Sequence, residues 1–387
     1  MADRPKPEVA IRVLPLPPDA APTPQQRVIL AYARTTGAHD AILAHTHCLV
    51  EALERTPGIE SAMVLRARAR RWATPGAPAA ASLALTLRRL DAEVVALQYN
   101  PFSYGRWGIA PSLLAEIINA RRVGALRRLA LVVHEPYVNE RGWRMAAMGA
   151  VQRPQLSTLI GRADVVLATS AAWSPMLRGL RDGTEVMCVP VGSNLPDRRA
   201  DRLAARRELL GPETSSLVVA SLGLVEAHQQ VRFAAAAMES LIADGHHVVH
   251  LNLGRTADLV SFNHPHFRSV RPGPLPDAQL ARMLASADLF LGPYRDGVTT
   301  RRTTLMAAMQ HAVCVVATVA ASSDIELTAG GAIALADVRE LRAFAEHARR
   351  LGADVAARRR QGLAGRGLFE ECFTWDRLAG RFLEALW

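Results

Sequence analysis

The sequence predicts an α/β protein in which two doubly wound, Rossmann-like domains face each other across a cleft. Short apolar runs alternate with helical stretches along most of the 387 residues, which is the pattern of parallel sheets covered by helices on both faces. A polar, arginine-rich stretch at 194–211 interrupts the alternation, which then starts again. The chain is also long enough to give each domain its own core.

The N-terminal segment, residues 1–26, is expected to be extended or disordered. It has seven prolines within its first 24 residues and no apolar core of a signal peptide. No later stretch approaches the roughly 20 apolar residues that a membrane-spanning helix needs. The four cysteines form no C-x-x-C pair, which favours a reduced compartment. We therefore expect a cytoplasmic protein.

The first domain is predicted to span residues 27–193. Its strand candidates are rich in Val, Ile and Leu without clean alternation, as in parallel strands that are buried on both faces. The strand candidates are 27–32, 61–65, 93–98, 129–134, 164–169 and 185–190, and the helical stretches include 41–55, 111–122, 147–160 and 172–180.

Residues 194–211 are predicted to link the domains, and the second domain is expected over residues 212–368. In doubly wound sheets, ligands bind at the carboxyl ends of the strands, so the functional residues are expected just after strands. The second set of strand candidates is 217–222, 248–253, 289–293 and 313–318, with helices that end near 243 or cover 277–285 and 302–311.

The charged residues restrict the chemistry. Lys6 is the single lysine, and the other 45 basic residues are arginines. Anions must therefore be held by arginine, by backbone N–H groups or by helix N-termini. The net charge of +10 would suit nucleic acid or anionic lipid, but the arginines are scattered and no nucleic-acid-binding motif is present. We expect no nucleic-acid partner and, without a zinc spacing, no metal.

The most informative stretch is an apolar strand candidate at 289–293 that leads through a loop into a helix. Such a helix start offers free N–H groups to an anion. Gly297 lets the backbone come close to a ligand, and Arg301 and Arg302 carry guanidinium groups that suit a diphosphate. An ordinary strand-to-helix turn with surface arginines fits the same residues equally well.

The stretch from Asp288 to Thr318 resembles the donor-binding region of retaining glycosyltransferases of family 4, which have the GT-B fold. Its sequence, D-L-F-L-G-P-Y-R-D-G-V-T-T-R-R-T-T-L-M-A-A-M-Q-H-A-V-C-V-V-A-T, is similar to a subtype with a D-G-x-[ST]-x-R-R motif. Weaker matches lie at Gly273–Leu280, at Val189–Asn194 and around Trp375. The resemblance covers nearly the whole chain after the N-terminal segment.

The resemblance implies transfer of a sugar from a nucleotide-sugar donor, with retention and without a cofactor. It also implies a C-terminal helix, 369–387, that packs back on the first domain. His134 and Asp296 are the implied catalytic residues. The implied donor-binding residues are Gly37, Gly223, Arg232, Val270, Arg271, Asp296, Gly297, Val298, Thr299, Thr300, Arg301, Arg302 and Thr303. The expected acceptor-binding residues are Tyr99, Asn100, Glu135, Tyr137 and Trp107.

His134 ends a buried strand candidate and precedes polar residues. A histidine at this place faces the donor sugar in the family that the chain resembles. A hydrogen-bonded structural histidine is the alternative that the residues leave open. Trp107 and Trp143 can supply stacking faces for a sugar, or they can pack their own loops.

The chain departs from the family pattern at the donor site. The Arg and Lys that the family places after the first strand of the second domain are absent from Gly223–Gln229. The family has two glutamates around the donor helix. The position of the first lies near Asp296 or Thr299, and Asp296 can replace it, whereas Ala307 stands at the position of the second and cannot. Ala312 stands where a glycine is usual. We favour replacement of the lost cations by the two arginines of the motif. The alternative is weak donor binding in a helper protein.

The sequence does not decide between several functional classes, which differ in their acceptor or have none. The Ala- and Arg-rich composition resembles that of actinomycete proteins and favours a small-molecule acceptor, as in antibiotic biosynthesis. The competing enzyme class makes cell-surface polysaccharide or glycolipid from a lipid-linked acceptor; Arg66, Arg68, Arg70 and Arg71 beside Trp72 would then give peripheral membrane contact. An auxiliary protein that activates a partner and a nucleotide-sugar epimerase are the other two classes.

Overall fold

A computed structural model describes residues 26–33, 40–68, 71–74, 81–138, 142–211, 215–223, 230–254 and 260–387. The strands are β1 (Gln26–Ala33), β2 (Ile59–Arg68), β3 (Arg71–Ala73), β4 (Val94–Tyr99), β5 (Arg128–Val133), β6 (Val165–Ala168), β7 (Val186–Cys188), β8 (Leu217–Leu222), β9 (Val248–Leu253), β10 (Phe267–Val270), β11 (Leu289–Gly292), β12 (Cys314–Val319) and β13 (Ala334–Asp337).

The helices cover both faces of the sheets and follow the strands in alternation. They are α1 (Ala41–Glu54), α2 (Leu83–Leu90), α3 (Pro111–Arg122), α4 (Trp143–Ile160), α5 (Ser174–Arg178), α6 (Arg202–Leu210), α7 (Val231–Ala243), α8 (Asp277–Ala285), α9 (Thr303–Gln310), α10 (Ile325–Thr328), α11 (Leu341–Ala353), α12 (Val355–Cys372) and α13 (Trp375–Leu386).

The strands form two sheets, one in each domain. The first has the order β3-β2-β1-β4-β5-β6-β7 and the second the order β10-β9-β8-β11-β12-β13. The pairing of β2 with β3 is antiparallel and the other pairings between these strands are parallel. In each sheet the order reverses beside the first strand of the domain, which opens a crevice at the carboxyl ends of the strands. The predicted fold class is confirmed.

The central strands β4, β8 and β9 are buried at every position, as their continuous apolar runs predict. The strands that the sequence did not predict, β3, β10 and β13, are short and partly exposed. Their composition is mixed because each lies at the edge of its sheet, where one side of the strand has no neighbour.

Helix α6 belongs to the second domain, so the link between the domains is shorter than the predicted 194–211. Arg202 and Arg206 lie one turn apart on α6 and bind the two carboxylate oxygens of Asp288 at 2.8 and 2.7 Å. Asp288 is buried and also accepts the backbone N–H of Val218 at the start of β8. Arg202 and Arg206, which the sequence analysis assigned to a polar linker, therefore fix this helix to the second sheet.

The C-terminal helix that lies on the first domain begins at Trp375, later than the predicted 369. Apolar side chains of α13, including Phe382 and Leu386, share a core with Leu49 and Leu53 of α1. The preceding helix, α12, contacts α9 and β12 of the second domain. The chain thus crosses back between the domains at the short connection from α12 to α13.

The arginines beside Trp72 were predicted to contact a membrane together with this tryptophan, but Trp72 does not lie at the surface. Trp72 is 2% exposed and packs with Leu83 and Leu87 in the core of the first domain, so its ring cannot insert into a bilayer. Arg70 and residues 1–25 lie outside the described residues. Within the described ranges, no helix has both the length and the apolar character needed to cross a membrane.

A buried histidine in the second domain makes stability depend on pH. His250 is fully buried on β9, and its Nε2 lies 2.9 Å from the Ser221 hydroxyl. Burial lowers the pKa of His250 from 6.5 to about 4. Between these values the unfolded chain binds the proton and the folded chain does not, so the free energy of unfolding falls as the pH falls from 6.5 to 4.

We predict that His250→Gln removes about 1.4 kcal/mol per pH unit from this dependence. The slope is measured by chemical denaturation at several pH values in that range. Ser221→Ala is the control, because it lowers stability at every pH but keeps the titrating group. An unchanged slope in His250→Gln would contradict the prediction.

Candidate active site

The two domains are joined across the cleft by the carboxylate of Asp324, which follows β12. It accepts hydrogen bonds from the Ser170 hydroxyl at 2.9 Å and from the Ala171 N–H at 3.0 Å, both after β6 of the first domain. From the second domain it accepts the Thr300 N–H at 2.6 Å. Asp324 is 2% exposed. Because the carboxylate is buried and fully used, it fixes the distance between the loops that follow β6 and β11.

Thr300 strengthens the same contact. Its hydroxyl lies 2.9 Å from Asp324 and 3.0 Å from the carbonyl oxygen of Thr169, and its own carbonyl accepts the N–H of Val191 at 2.9 Å. The side chain is completely buried. The loop that the sequence assigned to a donor thus also forms part of the domain interface.

Asp296 binds both arginines of the motif. Its carboxylate accepts from Arg301 at 2.8 Å and from Arg302 on the other oxygen. Arg302 is largely buried, with its guanidinium 4.2 Å from the ring centre of Tyr294. Arg301 reaches the first domain, where it lies 3.5 Å from Glu135 and 5.2 Å from the ring centre of Trp173. Asp296 and Glu135 therefore balance the charge of the two arginines.

His134 follows β5 and is 8% exposed. Its Nε2 lies 2.8 Å from the amide oxygen of Gln98, so this nitrogen carries the proton. Burial, and then the neighbouring His45, hold the pKa of His134 well below its usual value. His134 is therefore a neutral hydrogen-bonding group near neutral pH.

His45 on α1 packs edge-on against His134, with ring centres 5.0 Å apart. Burial lowers the pKa of His45 to about 4, and its Nδ1 has no hydrogen-bond partner. On its other side lies Trp375, whose Nε1 donates to the Ser193 carbonyl at 2.7 Å. A side chain at Gly192 would come within 2.8 Å of the Trp375 ring, so glycine is needed there. The C-terminal helix thus supports the histidine pair.

Three cavities along the cleft are lined by residues that the structure describes. The α9 cavity, about 330 Å³, has lining residues from both domains, among them Ala44, Leu222, Gly254, Asp277, Thr303 and Ala307. The central cavity, about 160 Å³, is lined among others by His45, Asn100, His134, Glu135, Arg301 and Thr303. The aromatic cavity, about 540 Å³, is lined among others by Phe102, Glu135, Tyr137, Trp173, Asp296, Thr299 and Arg301.

The start of α9 opens into the first two of these cavities. Helix α9 has no side-chain cap, and among the described residues the backbone N–H groups of Thr303 and Thr304 have no hydrogen-bond partner. Helix α1 differs, since its capping residue Asp40 accepts the N–H groups of Ile42 and Leu43 at 3.1 Å. The free N–H groups and the positive end of the helix dipole make the start of α9 the better anion site.

The structure brings eight of the nineteen predicted site residues to the walls of these cavities. The predicted residues that line one or two of the three cavities are Asn100, His134, Glu135, Tyr137, Asp296, Thr299, Arg301 and Thr303. Gly223 follows β8 directly after Leu222, which lines the α9 cavity, and adopts a positive φ of 66°.

Other predicted residues have packing roles. Tyr99 is completely buried in the core, and burial raises its pKa to about 12. Alternate residues of a strand face opposite sides, so it is Gln98 that meets His134. Val298 is also a core residue. Gly297 accommodates the loop after β12, because a side chain there would lie 2.2 Å from the Ser323 hydroxyl. Tyr99 therefore lies in the core and lines none of the three cavities.

Four of the predicted residues lie away from the three cavities. Trp107 is 61% exposed and stacks with Arg106. Val270 ends the edge strand β10 and Arg271 follows it, whereas Pro274 and Leu275 further along the chain line the α9 cavity. Arg232 lines a separate shallow depression with Arg295 and Arg339. Gly37 lies outside the described residues.

Sequence reasoning missed four residues of the site. Trp173 and Asp324 lie just after β6 and β12, so the rule that points to the carboxyl ends of strands would have found them. Asp277, which lines the α9 cavity, was read only as part of a helix start. His45 carried no signal, because it lies within a helical stretch whose facing surface depends on tertiary contacts.

Comparisons with known proteins identify the fold. Sucrose-phosphate synthase from Thermosynechococcus elongatus has a TM-score of 0.65 at 15% identity, over 93% of this chain and 98% of that chain. Anabaena HepE in complex with UDP and glucose has a TM-score of 0.63 at 13% identity, over 94% and 99% of the two chains. The chain therefore has the GT-B fold of nucleotide-sugar-dependent glycosyltransferases.

A third similar structure is an α,α-trehalose-phosphate synthase (UDP-forming) from Burkholderia xenovorans in complex with glucose-6-phosphate. It has a TM-score of 0.61 at 14% identity and covers 93% of this chain and 99% of that chain. No family model matches the sequence, and no curated protein matches it.

We predict that Asp324→Asn lowers the free energy of unfolding by about 2–3 kcal/mol, because an amide cannot accept all the hydrogen bonds that the buried carboxylate receives. Small-angle scattering should also show a larger radius of gyration as the domains separate. Asp354→Asn is the matched control, since this exposed aspartate caps α12 and asparagine caps as well. Equal effects of the two changes would contradict the role of Asp324.

Proposed function

We propose that the protein is a glycosyltransferase that moves a sugar from a nucleotide-sugar donor to a small-molecule acceptor. The observation that carries this proposal is the uncapped start of α9, which opens into the α9 cavity and the central cavity between two GT-B domains. The similar structure of HepE is described in complex with UDP and glucose, which supports a nucleotide-sugar ligand for this fold.

The donor fits with its nucleoside in the α9 cavity and its diphosphate at Thr303 and Thr304. The N–H groups there replace the Arg and Lys that the chain lacks. Asp277 is exposed at the wall of the same cavity and is suited to accept hydrogen bonds from ribose hydroxyls. The motif at Asp296 resembles that of family 4. Asp277 would take the place of the second of the two glutamates of that family.

The sugar then lies in the central cavity, between His134 and Arg301. His134 is neutral, so it holds a sugar hydroxyl by hydrogen bonding rather than by charge. During transfer the bond from the anomeric carbon to the diphosphate breaks and a bond to the acceptor oxygen forms, while the acceptor proton passes to the departing diphosphate. Arg301 and the start of α9 stabilise the negative charge that develops there. Retention of configuration is part of the proposal, as the family resemblance implies.

The two arginines of the motif have different roles in this proposal. Arg301 lines two cavities and faces the reacting groups. Arg302 lines none of the three cavities and is held between Asp296 and Tyr294. Its role is to hold Asp296 in place, which changes the expectation that both bind the diphosphate.

The donor site is tested by filling the α9 cavity. Ala44→Trp is expected to abolish nucleotide binding, because the indole occupies the space of the nucleoside. Ala147→Trp, on an exposed part of α4, is the matched control and should leave binding unchanged. Binding of UDP, TDP and GDP is measured by isothermal titration calorimetry and thermal shift, where a ligand of the folded state raises the melting temperature. Equal nucleotide binding by the two variants would remove the donor cavity from the proposal.

The motif is tested by comparing Arg301→Ala with Arg302→Ala. We expect Arg301→Ala to lower kcat/KM by about 10²-fold with little loss of stability, because the interaction is made with the reacting groups. Arg302→Ala should mainly lower the melting temperature, since it leaves a half-buried carboxylate with one partner fewer. The reverse pattern would overturn these assignments.

The same assays separate the enzyme from the other classes. Transfer or slow donor hydrolysis by the pure protein supports a glycosyltransferase. Activity that needs a partner protein supports an auxiliary protein, and a changed donor sugar without release of nucleotide supports an epimerase. We also propose that the enzyme acts in antibiotic biosynthesis and in the cytoplasm.

A further inference from the structure

The aromatic cavity lies on the far side of the central cavity from the start of α9. Glu135 and Arg301 line both the aromatic and the central cavity, so a molecule in the aromatic cavity reaches the sugar that we place in the central one. On the proposed function, this is the place of the acceptor. We propose that the acceptor is an uncharged molecule with a flat apolar part, which presents a hydroxyl group and carries no phosphate.

The walls of this cavity are apolar and aromatic. Phe102, Tyr137 and Trp173 line it from the first domain, together with Pro101, Pro136 and Met176. Trp173 is held by its Nε1, which donates to the His134 carbonyl at 3.2 Å, and Arg153 stacks on Tyr137 at 5.3 Å. Fixed rings of this kind bind flat apolar surfaces with little loss of entropy. A volume of about 540 Å³ suits an acceptor larger than a single sugar ring.

The charges of the cavity disfavour a phosphate. Its charged lining residues are Glu135, Asp296 and Arg301, two acids and one base. Arg301 is already bound to both acids, at 3.5 and 2.8 Å, and Arg302 also binds Asp296. Among the described lining residues there is thus no cation that lacks an acidic partner. A phosphate would have to displace a carboxylate from Arg301 and lie beside it, which like-charge repulsion opposes.

Thr299 also lines this cavity. The residue is 2% exposed, and its hydroxyl is buried without a hydrogen-bond partner. A buried hydroxyl that lacks a partner is costly, and a hydroxyl group of a bound molecule would satisfy it. Thr299 lies close in sequence to Asp296 and Arg301, so this contact places the acceptor hydroxyl beside the central cavity. The result differs from the trehalose-phosphate synthase, whose structure is described with glucose-6-phosphate.

The test compares two probes of opposite character on the full chain. Binding of 4-methylumbelliferone, in slightly acidic solution where its phenol is neutral, and of glucose-6-phosphate is measured by calorimetry, and transfer to each is then measured with the donor that the protein binds. We expect the umbelliferone to bind at least about tenfold more tightly than the sugar phosphate. Tyr137→Ala should weaken umbelliferone binding by about tenfold. Trp387→Ala, which removes a 51% exposed indole that follows α13 and lines none of the three cavities, is the control and should change neither affinity.

A variant that binds glucose-6-phosphate more tightly is also needed, because a folding defect can explain a loss of binding but not a gain. Glu135→Gln removes one of the two acids that bind Arg301, so it is expected to raise the affinity for glucose-6-phosphate by about tenfold while umbelliferone still binds. Tighter binding of glucose-6-phosphate than of umbelliferone by the unchanged protein would overturn the inference and leave the proposed function standing. Umbelliferone binding that depends on Tyr137 in a protein that binds no nucleotide would support the ligand class inferred for the aromatic cavity and overturn the proposed function.

Discussion

The hydrogen bonds of Asp324 are the constraint on which the cleft depends. One buried carboxylate binds the loop after β6 of the first domain and the loop after β11 of the second. The three cavities lie between the same two domains, and their lining combines residues of both. A change in the distance between the domains would alter each of them at once. The site is therefore a property of the pair of domains rather than of either one.

Almost all the positive charge of the chain is carried by arginine. Where relatives of the family that it resembles place separate cations near a diphosphate, this chain pairs its two motif arginines with Asp296 and Glu135. The cluster is neutral, so it cannot attract an anion by excess charge. In the proposed donor site, attraction for a diphosphate falls instead to the backbone N–H groups at the start of α9, where the helix dipole supplies partial positive charge.

Buried side chains hold His134 in place at the wall of the central cavity. Gln98 fixes the proton on one nitrogen of His134, and the edge of His45 packs against the same ring. Trp375, which belongs to the last helix, supports His45 in turn. The C-terminal helix consequently does more than cover the apolar surface of α1, because its first residue limits the positions that the histidine pair can adopt.

The sequence by itself determined the two doubly wound domains, the limits of α3 and α8, and the placement of His134, Asp296 and Arg301 at one cleft. These follow from apolar periodicity and from the rule that loops after parallel strands meet at one edge. Only the tertiary structure decided that Tyr99 faces the core, that Arg302 and Thr300 are buried, and that α6 belongs to the second domain. Those outcomes depend on which face of an element meets a distant segment, and side-chain spacing along the chain carries no record of that partner.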